Sequence, residues 1–442
     1  MPPYEDLCIN RAVVKNNNYT SNGYVFKEWN TKRDGTGITY KPGQIIDVNK
    51  NEVLYAIWRE KNDISTLIYW ALQDNDNDNV NETLVLSDVE VDGKIKGNFH
   101  GNEDFSYTRN VPWINGVGYN GDSLSAKVQN VIVENTITPI STRSWFAYVG
   151  DRATGTLNFD LEKLDTSYVK DMSFMFSNTG NVGPETINLD LSSWDVSNVE
   201  DMSNMFQAIG AFGAKEVNIN LSGWNMLNVT NINRIFSVSG GYNRQDTKYN
   251  IDLSGWNMPK LTSFERLFEG FGENNNYTRA ASVYLNLTGW NMPNVTNMEY
   301  MFFYAGEHNT SDFIIDGLDS WDVSNVTNML GMFCNTGYKA KNFSIGDISN
   351  WDVSNVTSMK YMFNNTGFGS NKFKLDLSKW NTSKVEDMEY MFYGAGSSAN
   401  EWEIVISKDN GGEINNTNKK LYGANTSIYS SPDENRNFTL SK

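Results

Sequence analysis

Carboxylates and carboxamides at fixed intervals are the groups through which this sequence could do chemistry. The run Asp74-Asn75-Asp76-Asn77-Asp78-Asn79 spaces its acids like the first ligands of a calcium loop. Asn79 stands where such a loop needs glycine, however, and Val85 at the twelfth position carries no carboxylate, so a solvated hairpin loop is expected. His100 with Glu103 and Asp104 offers a base and acidic partners but no nucleophile, which leaves a surface loop. Two histidines and two widely separated cysteines, Cys8 and Cys334, are too few for a zinc ligand set or a disulfide scaffold. No catalytic residue, metal or cofactor is assigned.

A second acidic set is periodic: Asn158/Asp160, Asn188/Asp190, Asn218/Asn220, Asn250/Asp252, Tyr284/Asn286 and Lys374/Asp376 each alternate with apolar residues. Stacked, they form either a polar recognition face for a protein or glycan, or a solubilising ladder of amides that bond one another. Two such carboxylates could pose as a glycosidase acid and base. A fully repeated set singles out no pair by its environment, which acid and base work requires, so the enzyme reading ranks behind the other two.

The elements that carry these residues repeat. Trp194, Trp224, Trp256, Trp290, Trp321, Trp351 and Trp380, with Leu164 in an earlier copy, anchor units of 29 to 34 residues, and eleven residues after each anchor stands an apolar-Phe pair such as Met205-Phe206 or Met362-Phe363. Upstream, apolar residues alternate at −7, −5 and −3, the pattern of a strand with one buried face. Two copies, Phe313/Ile315/Leu318 and Phe343/Ile345/Ile348, contain one extra residue and imply a bulge. Downstream, apolar spacing of +5, +8, +11 and +12 predicts a short helix, with Asp, Asn or Ser at +7 as its N-cap. Asp or Asn at +1 suits an Asx-turn out of the strand. The expected fold is an α/β repeat, a parallel solenoid of strand and short-helix coils, in which the Trp anchors pack at a corner instead of forming a carbohydrate platform.

The chain has 442 residues and a net charge of −17, which argues against nucleic acid as partner. No apolar stretch is long enough for direct membrane insertion, and the first residues lack the features of a signal peptide. Four segments are expected: a compact β-module at 1–61, an N-terminal cap at 62–150, the repeats at 151–400 and a C-terminal cap at 401–442. Aromatic residues in the variable loops, Phe212, Tyr242, Phe271, Tyr277, Tyr338 and Phe368, are not demanded by the period and join Asn188, Asp190, Asn218, Asn220, Asn250 and Asp252 as candidate partner contacts.

The unit Leu189-Asp190-Leu191-Ser192-Ser193-Trp194-Asp195-Val196-Ser197-Asn198-Val199, continued by Met202 and Met205-Phe206, resembles the repeat of BspA-like leucine-rich-repeat surface proteins of bacteria. Gly23 to Lys32, then Asp34-Gly35-Thr36-Gly37, Tyr40-Lys41-Pro42-Gly43 and Val53 to Trp58, resemble the internalin-type B-repeat, or Listeria-Bacteroides repeat, a small β-grasp-like module. These resemblances imply an extracellular, cell-surface, adhesin-like protein. It would be non-enzymatic, and its partner a host or neighbouring-cell protein or glycan. A structural stalk that projects another domain is the alternative.

Overall fold

The computed structural model describes residues 11–13, 24–40, 45–47, 53–60, 67–78, 80–101, 105, 110–114, 124–237, 247–272, 281–307, 310–407 and 436–441. The chain divides into two compact units, Met1–Thr66 and Leu67–Lys442. In the first, the strand pairs among the described residues are antiparallel: β2 (Tyr24–Asn30) lies between β3 (Thr39–Tyr40) and β5 (Tyr55–Glu60), while β1 (Arg11–Val13) pairs with β4 (Ile45–Asp47). The turn after β2 closes around Asn30, which is fully buried. Its Oδ1 accepts the amides of Lys32 and Gly37, both at 2.9 Å, and its Nδ2 donates to the Gly35 carbonyl at 3.1 Å. Both ends of a buried carboxamide are thus satisfied, which fixes the loop.

The second unit is a parallel β-solenoid. Its strands are β9 (Asn130–Val133), β10 (Thr156–Asp160), β11 (Thr186–Asp190), β12 (Glu216–Asn220), β13 (Thr247–Asp252), β14 (Ala281–Asn286), β15 (Thr310–Asp316) and β16 (Asn342–Ser344), paired consecutively and in parallel. A second parallel sheet of β17 (Lys372–Leu377), β18 (Glu401–Ser407) and β19 (Arg436–Ser441) follows. At the other end β7 (Thr83–Ser87) pairs with β9, and β6 (Leu67–Gln73) runs antiparallel between β7 and β8 (Ile95–His100). This antiparallel element covers the edge of the first coil, where Trp70, Phe99, Trp113 and Trp145 meet edge to face.

The expected short helices are absent, and no α-helix occurs among the described residues. The segment after each Asx-turn is a ribbon of successive turns. In one coil the amides of Phe174, Phe176 and Asn178 donate to the carbonyls of Ser203, Met205 and Gln207 in the next coil, at 3.0, 2.8 and 2.7 Å. The interleaved amides of Met175, Ser177 and Thr179 donate three residues back, to Met172, Phe174 and Phe176, at 3.2, 3.0 and 3.2 Å. A helix would spend every amide within the coil. Here half of them join neighbouring coils, and the geometry depends on left-handed residues at +10: Phe174, Asn204, Arg234, Arg266, Tyr300, Gly331, Tyr361 and Tyr390 all have φ between 53° and 59°. The residue expected to cap a helix at +7 instead bridges to its counterpart in the next coil, as Asp171 does to Asp201, and accepts the amide two residues on, as Asp201 does from Ser203 at 2.7 Å.

Spacings of three and four suited the helix reading because the ribbon buries the same residues. Phe146, Phe176, Phe206, Phe236, Phe268, Phe302, Phe333, Phe363 and Phe392 form a continuous row, with successive centroids 5.0 to 5.8 Å apart. Each contact buries large apolar surfaces against a ring of identical shape. The Trp anchors are also inside. Trp224, Trp256, Trp290, Trp351 and Trp380 donate Nε1–H to the carbonyls of Leu191, Leu221, Leu253, Leu318 and Ile348 in the preceding coil, at 2.7 to 2.9 Å. Where the two longer copies carry an extra residue, Gly317 takes φ 94° and Gly346 takes φ 71°. A Cβ on Gly317 would lie 2.3 Å from the Thr288 nitrogen, so only glycine fits there.

Two variants test this architecture. Trp256→Phe keeps the ring but orphans the buried Leu221 carbonyl, and denaturant titration is expected to show a loss of about 1–3 kcal/mol. Arg234→Gly is expected to leave stability unchanged or raise it by about 1 kcal/mol, because the position is left-handed. A loss of about 1 kcal/mol, as glycine inflicts on a helix interior, would contradict the ribbon.

Candidate functional site

Alternation along the strands sends residues −7, −5 and −3 inward and −6 and −4 outward. On the outward side an open groove of about 490 Å³ crosses the strands from β11 to β15. The side chains on its rim and floor are Asn188, Asp190, Asn218, Asn220, Asn250, Asp252, Tyr284, Asn286 and Asp316. All six strand positions expected from the sequence to contact a partner are therefore brought together. Tyr284 and Asn286 hold the same two phases one coil further on. Asp316 escapes the count because the extra residue at Gly317 shifts its distance from Trp321 by one.

The groove is built from two ladders. At −6, Asn218 Nδ2 donates to Asn188 Oδ1 at 2.8 Å and Asn250 Nδ2 to Asn218 Oδ1 at 2.6 Å. Tyr284 ends this run, and its hydroxyl donates to Asp312 at 2.6 Å. At −4, each side chain accepts the amide two residues on: Ser192 to Asp190 at 3.1 Å, Ser222 to Asn220 at 3.1 Å, Ser254 to Asp252 at 3.0 Å and Thr288 to Asn286 at 3.2 Å. These Asx-turns bend the chain off the sheet. Hydrogen bonds from Ser192 hold the Asp190 carboxyl below the usual carboxylate range, and those from Tyr284 and Asn342 do the same for Asp312. Both are ionised at neutral pH.

The loop aromatics among the described residues do not line this groove. Phe271 is a correction: it is 1 % exposed, wedged edge-on between Phe236 and Tyr249, because the left-handed Gly270 and Gly272 on either side turn it onto the core. Tyr338 and Phe368 stack on each other in adjacent coils at 4.8 Å and are half-buried, as is Phe212. Tyr242 and Tyr277 lie outside the described residues, as do Glu103 and Asp104. His100 ends β8 on an exposed position. Cys334 is buried, which pushes its thiol up to about 12 and leaves it inert. Burial likewise pushes Asp151 up to about 6, but its position is away from the groove lining.

The Asp74 loop is the expected exposed hairpin between β6 and β7, with Asn75, Asp76, Asn77 and Asp78 all exposed. Oxygens of Asp74, Asp76, Asp78 and Glu82 lie within 4.8 Å of one another, and the Lys94 ammonium caps the Asp74 carboxylate, which is 1 % exposed. Glu82 enters across the hairpin, where it accepts the Asn75 amide at 3.0 Å. Among the described residues this is the set nearest to a hard-cation ligand shell, and Lys94 already supplies a positive charge to it.

Asx-turn carboxylates also link stability to pH. Asp190, Asp347 and Asp352 sit below the ordinary carboxylate value because of hydrogen bonds from Ser192, Ser349 and Ser354. A carboxyl whose folded value is depressed contributes stability above its unfolded value, near 4, and loses it as pH falls through the folded value. Thermal melts are therefore expected to drop between about pH 5 and pH 3. The triple variant Asp190→Asn/Asp347→Asn/Asp352→Asn retains each Oδ1 acceptor but cannot titrate. Its drop should be smaller, and an equal drop would mean these turns carry no pH dependence.

Neither a curated protein nor a solved structure matches this chain. A family model described as "Mycoplasma protein of unknown function, DUF285" matches residues 146–280, 186–313, 274–403 and 308–428. The overlapping matches follow the repeated coils from Phe146, the first ring of the Phe row, past β18. Since they span more than half of its length, the chain belongs to the DUF285 family.

Proposed function

We propose that the protein is a non-enzymatic binding scaffold of the bacterial cell surface, adhesin-like, whose outward sheet face engages a protein or glycan. The groove over β11 to β15 carries this reading, since it gathers nine polar side chains that the core does not use. In this reading the coils are divergent BspA-like leucine-rich repeats in which a turn ribbon replaces the helix. The first unit is an internalin-type B-repeat of β-grasp type, a reading supported by the antiparallel β3-β2-β5 sheet and the Asn30-centred turn. The ionised, hydrogen-bonded Asp190 in the groove, like Asp312 next to Tyr284, favours binding over acid catalysis, which needs a carboxyl held protonated.

A stalk is the second reading, favoured by the consumption of Asn218 and Asn250 amides within their own ladder. Arrays of matrix proteins and glycans separate the two. Saturable binding is expected, and Asn218→Trp, which places a large ring in the groove, should reduce it at least about tenfold while the variant still unfolds in one cooperative transition. Absence of any saturable ligand, or full binding by the variant, would leave the stalk.

A further inference from the structure

The outward residues at the strand ends alternate in charge across the groove. Asp190 pairs in register with Asn220, Asn220 with Asp252, Asp252 with Asn286 and Asn286 with Asp316. Carboxylates directly opposite one another would repel, and the intervening carboxamide separates them and donates, as Asn286 Nδ2 does to Asp252 Oδ1 at 3.0 Å. Three carboxylates are thus presented two strands apart, or about 10 Å. No lysine or arginine lines the groove. The nearby cation Lys248 is held at the margin, over the Tyr284 ring at 5.5 Å and 3.9 Å from Glu216.

We propose that this groove binds an extended cationic polypeptide in the polyproline II conformation, with lysine or arginine at every third position. The proposal rests on the sheet face being a binding surface and names the partner of that surface. Polyproline II has three residues per turn and rises about 3.1 Å per residue, so side chains on one edge recur every 9 Å or so. That period meets Asp190, Asp252 and Asp316 in step. A β-strand, whose same-side residues recur about every 6.7 Å, falls out of step by the second carboxylate. Because polyproline II makes no internal hydrogen bonds, its backbone carbonyls are free for the second Nδ2 proton of Asn218 and of Asn286, each of which spends one within the ladders. Tyr284 supplies the aromatic surface on which proline rings pack in grooves of this kind.

The test uses the intact chain and two labelled nonapeptides of identical composition, one with Lys-Pro-Pro three times over and one with three lysines followed by six prolines. The spaced peptide is expected to bind at least about tenfold more tightly. Asp190→Asn/Asp252→Asn/Asp316→Asn should abolish that preference, and its fold is protected because asparagine already occupies the alternate rungs. Asp195→Asn/Asp322→Asn/Asp352→Asn removes equal charge from Asx-turns away from the groove and should leave binding intact. Equal affinity for both peptides, equal loss in both triple variants, or no saturable binding would overturn the proposal. If neither peptide binds while an array ligand is still lost on Asn218→Trp, the cationic partner falls and the binding face stands.

Discussion

Every coil must present, at each phase, a group that satisfies the same phase of its neighbour. This constraint follows from parallel stacking in register, where one residue's position is occupied about 4.8 Å away by its counterpart. Backbone amides meet it through the strand ladder and, on the other side, through the turn ribbon. Side chains meet it by self-complementarity: a phenylalanine ring stacks on a phenylalanine ring, as Phe302 does on Phe333 at 5.3 Å, and a carboxamide both donates and accepts. Tryptophan solves the same problem differently, stacking its ring on the next and sending its N–H to a carbonyl of the preceding coil.

Charge is the quantity that cannot be repeated this way. A column of aspartates would accumulate repulsion with every coil, so the columns are diluted with asparagine or tied to other donors. At +1 the choice tracks the local backbone. Asp195, Asp322 and Asp352 accept the amides of Ser197, Ser324 and Ser354. Two of the copies with asparagine there, Asn257 and Asn291, precede Pro259 and Pro293, which have no amide to give. There the carboxamides bond one another, Asn257 to Asn225 at 2.6 Å and Asn291 to Asn257 at 2.7 Å. The Asn residues at +4 are spent similarly: Asn228 and Asn294 donate to the carbonyls of Ser197 and Pro259 at 2.8 and 2.7 Å.

Period-two alternation and the Trp and Phe phases make the parallel array legible in sequence, because burial alone decides them. The turn ribbon is not legible. Its left-handed position is occupied by Phe174, Arg234, Arg266 and three tyrosines, residues that ordinarily avoid that conformation, and only Asn204 and Gly331 give the usual sign. The conformation is imposed from outside the coil, by hydrogen bonds to the next coil, and no local propensity records them. The same reasoning covers the site. Asn188 to Asp252 were visible as a periodic set, whereas Asp316 is displaced by an inserted glycine. Glu82 reaches the Asp74 loop only through hairpin pairing. Phe271 looked free because it lies off the period, yet off-period residues next to Gly270 and Gly272 can fold back onto the core.

A perfectly periodic surface has no unique position on it. Recognition then has two routes: a break in the period, or a ligand that is itself periodic. Both meet between β11 and β15. Tyr284, with Lys248 over its ring, ends the Asn ladder, Gly317 resets the phase, and across these breaks the strand-end residues from Asp190 to Asp316 alternate regularly between acid and amide. The break fixes where along the solenoid a ligand can stop, and the alternation fixes the spacing of the groups it must carry. Tolerance of loop length elsewhere follows from the same division, since the connections after each Phe contribute to neither.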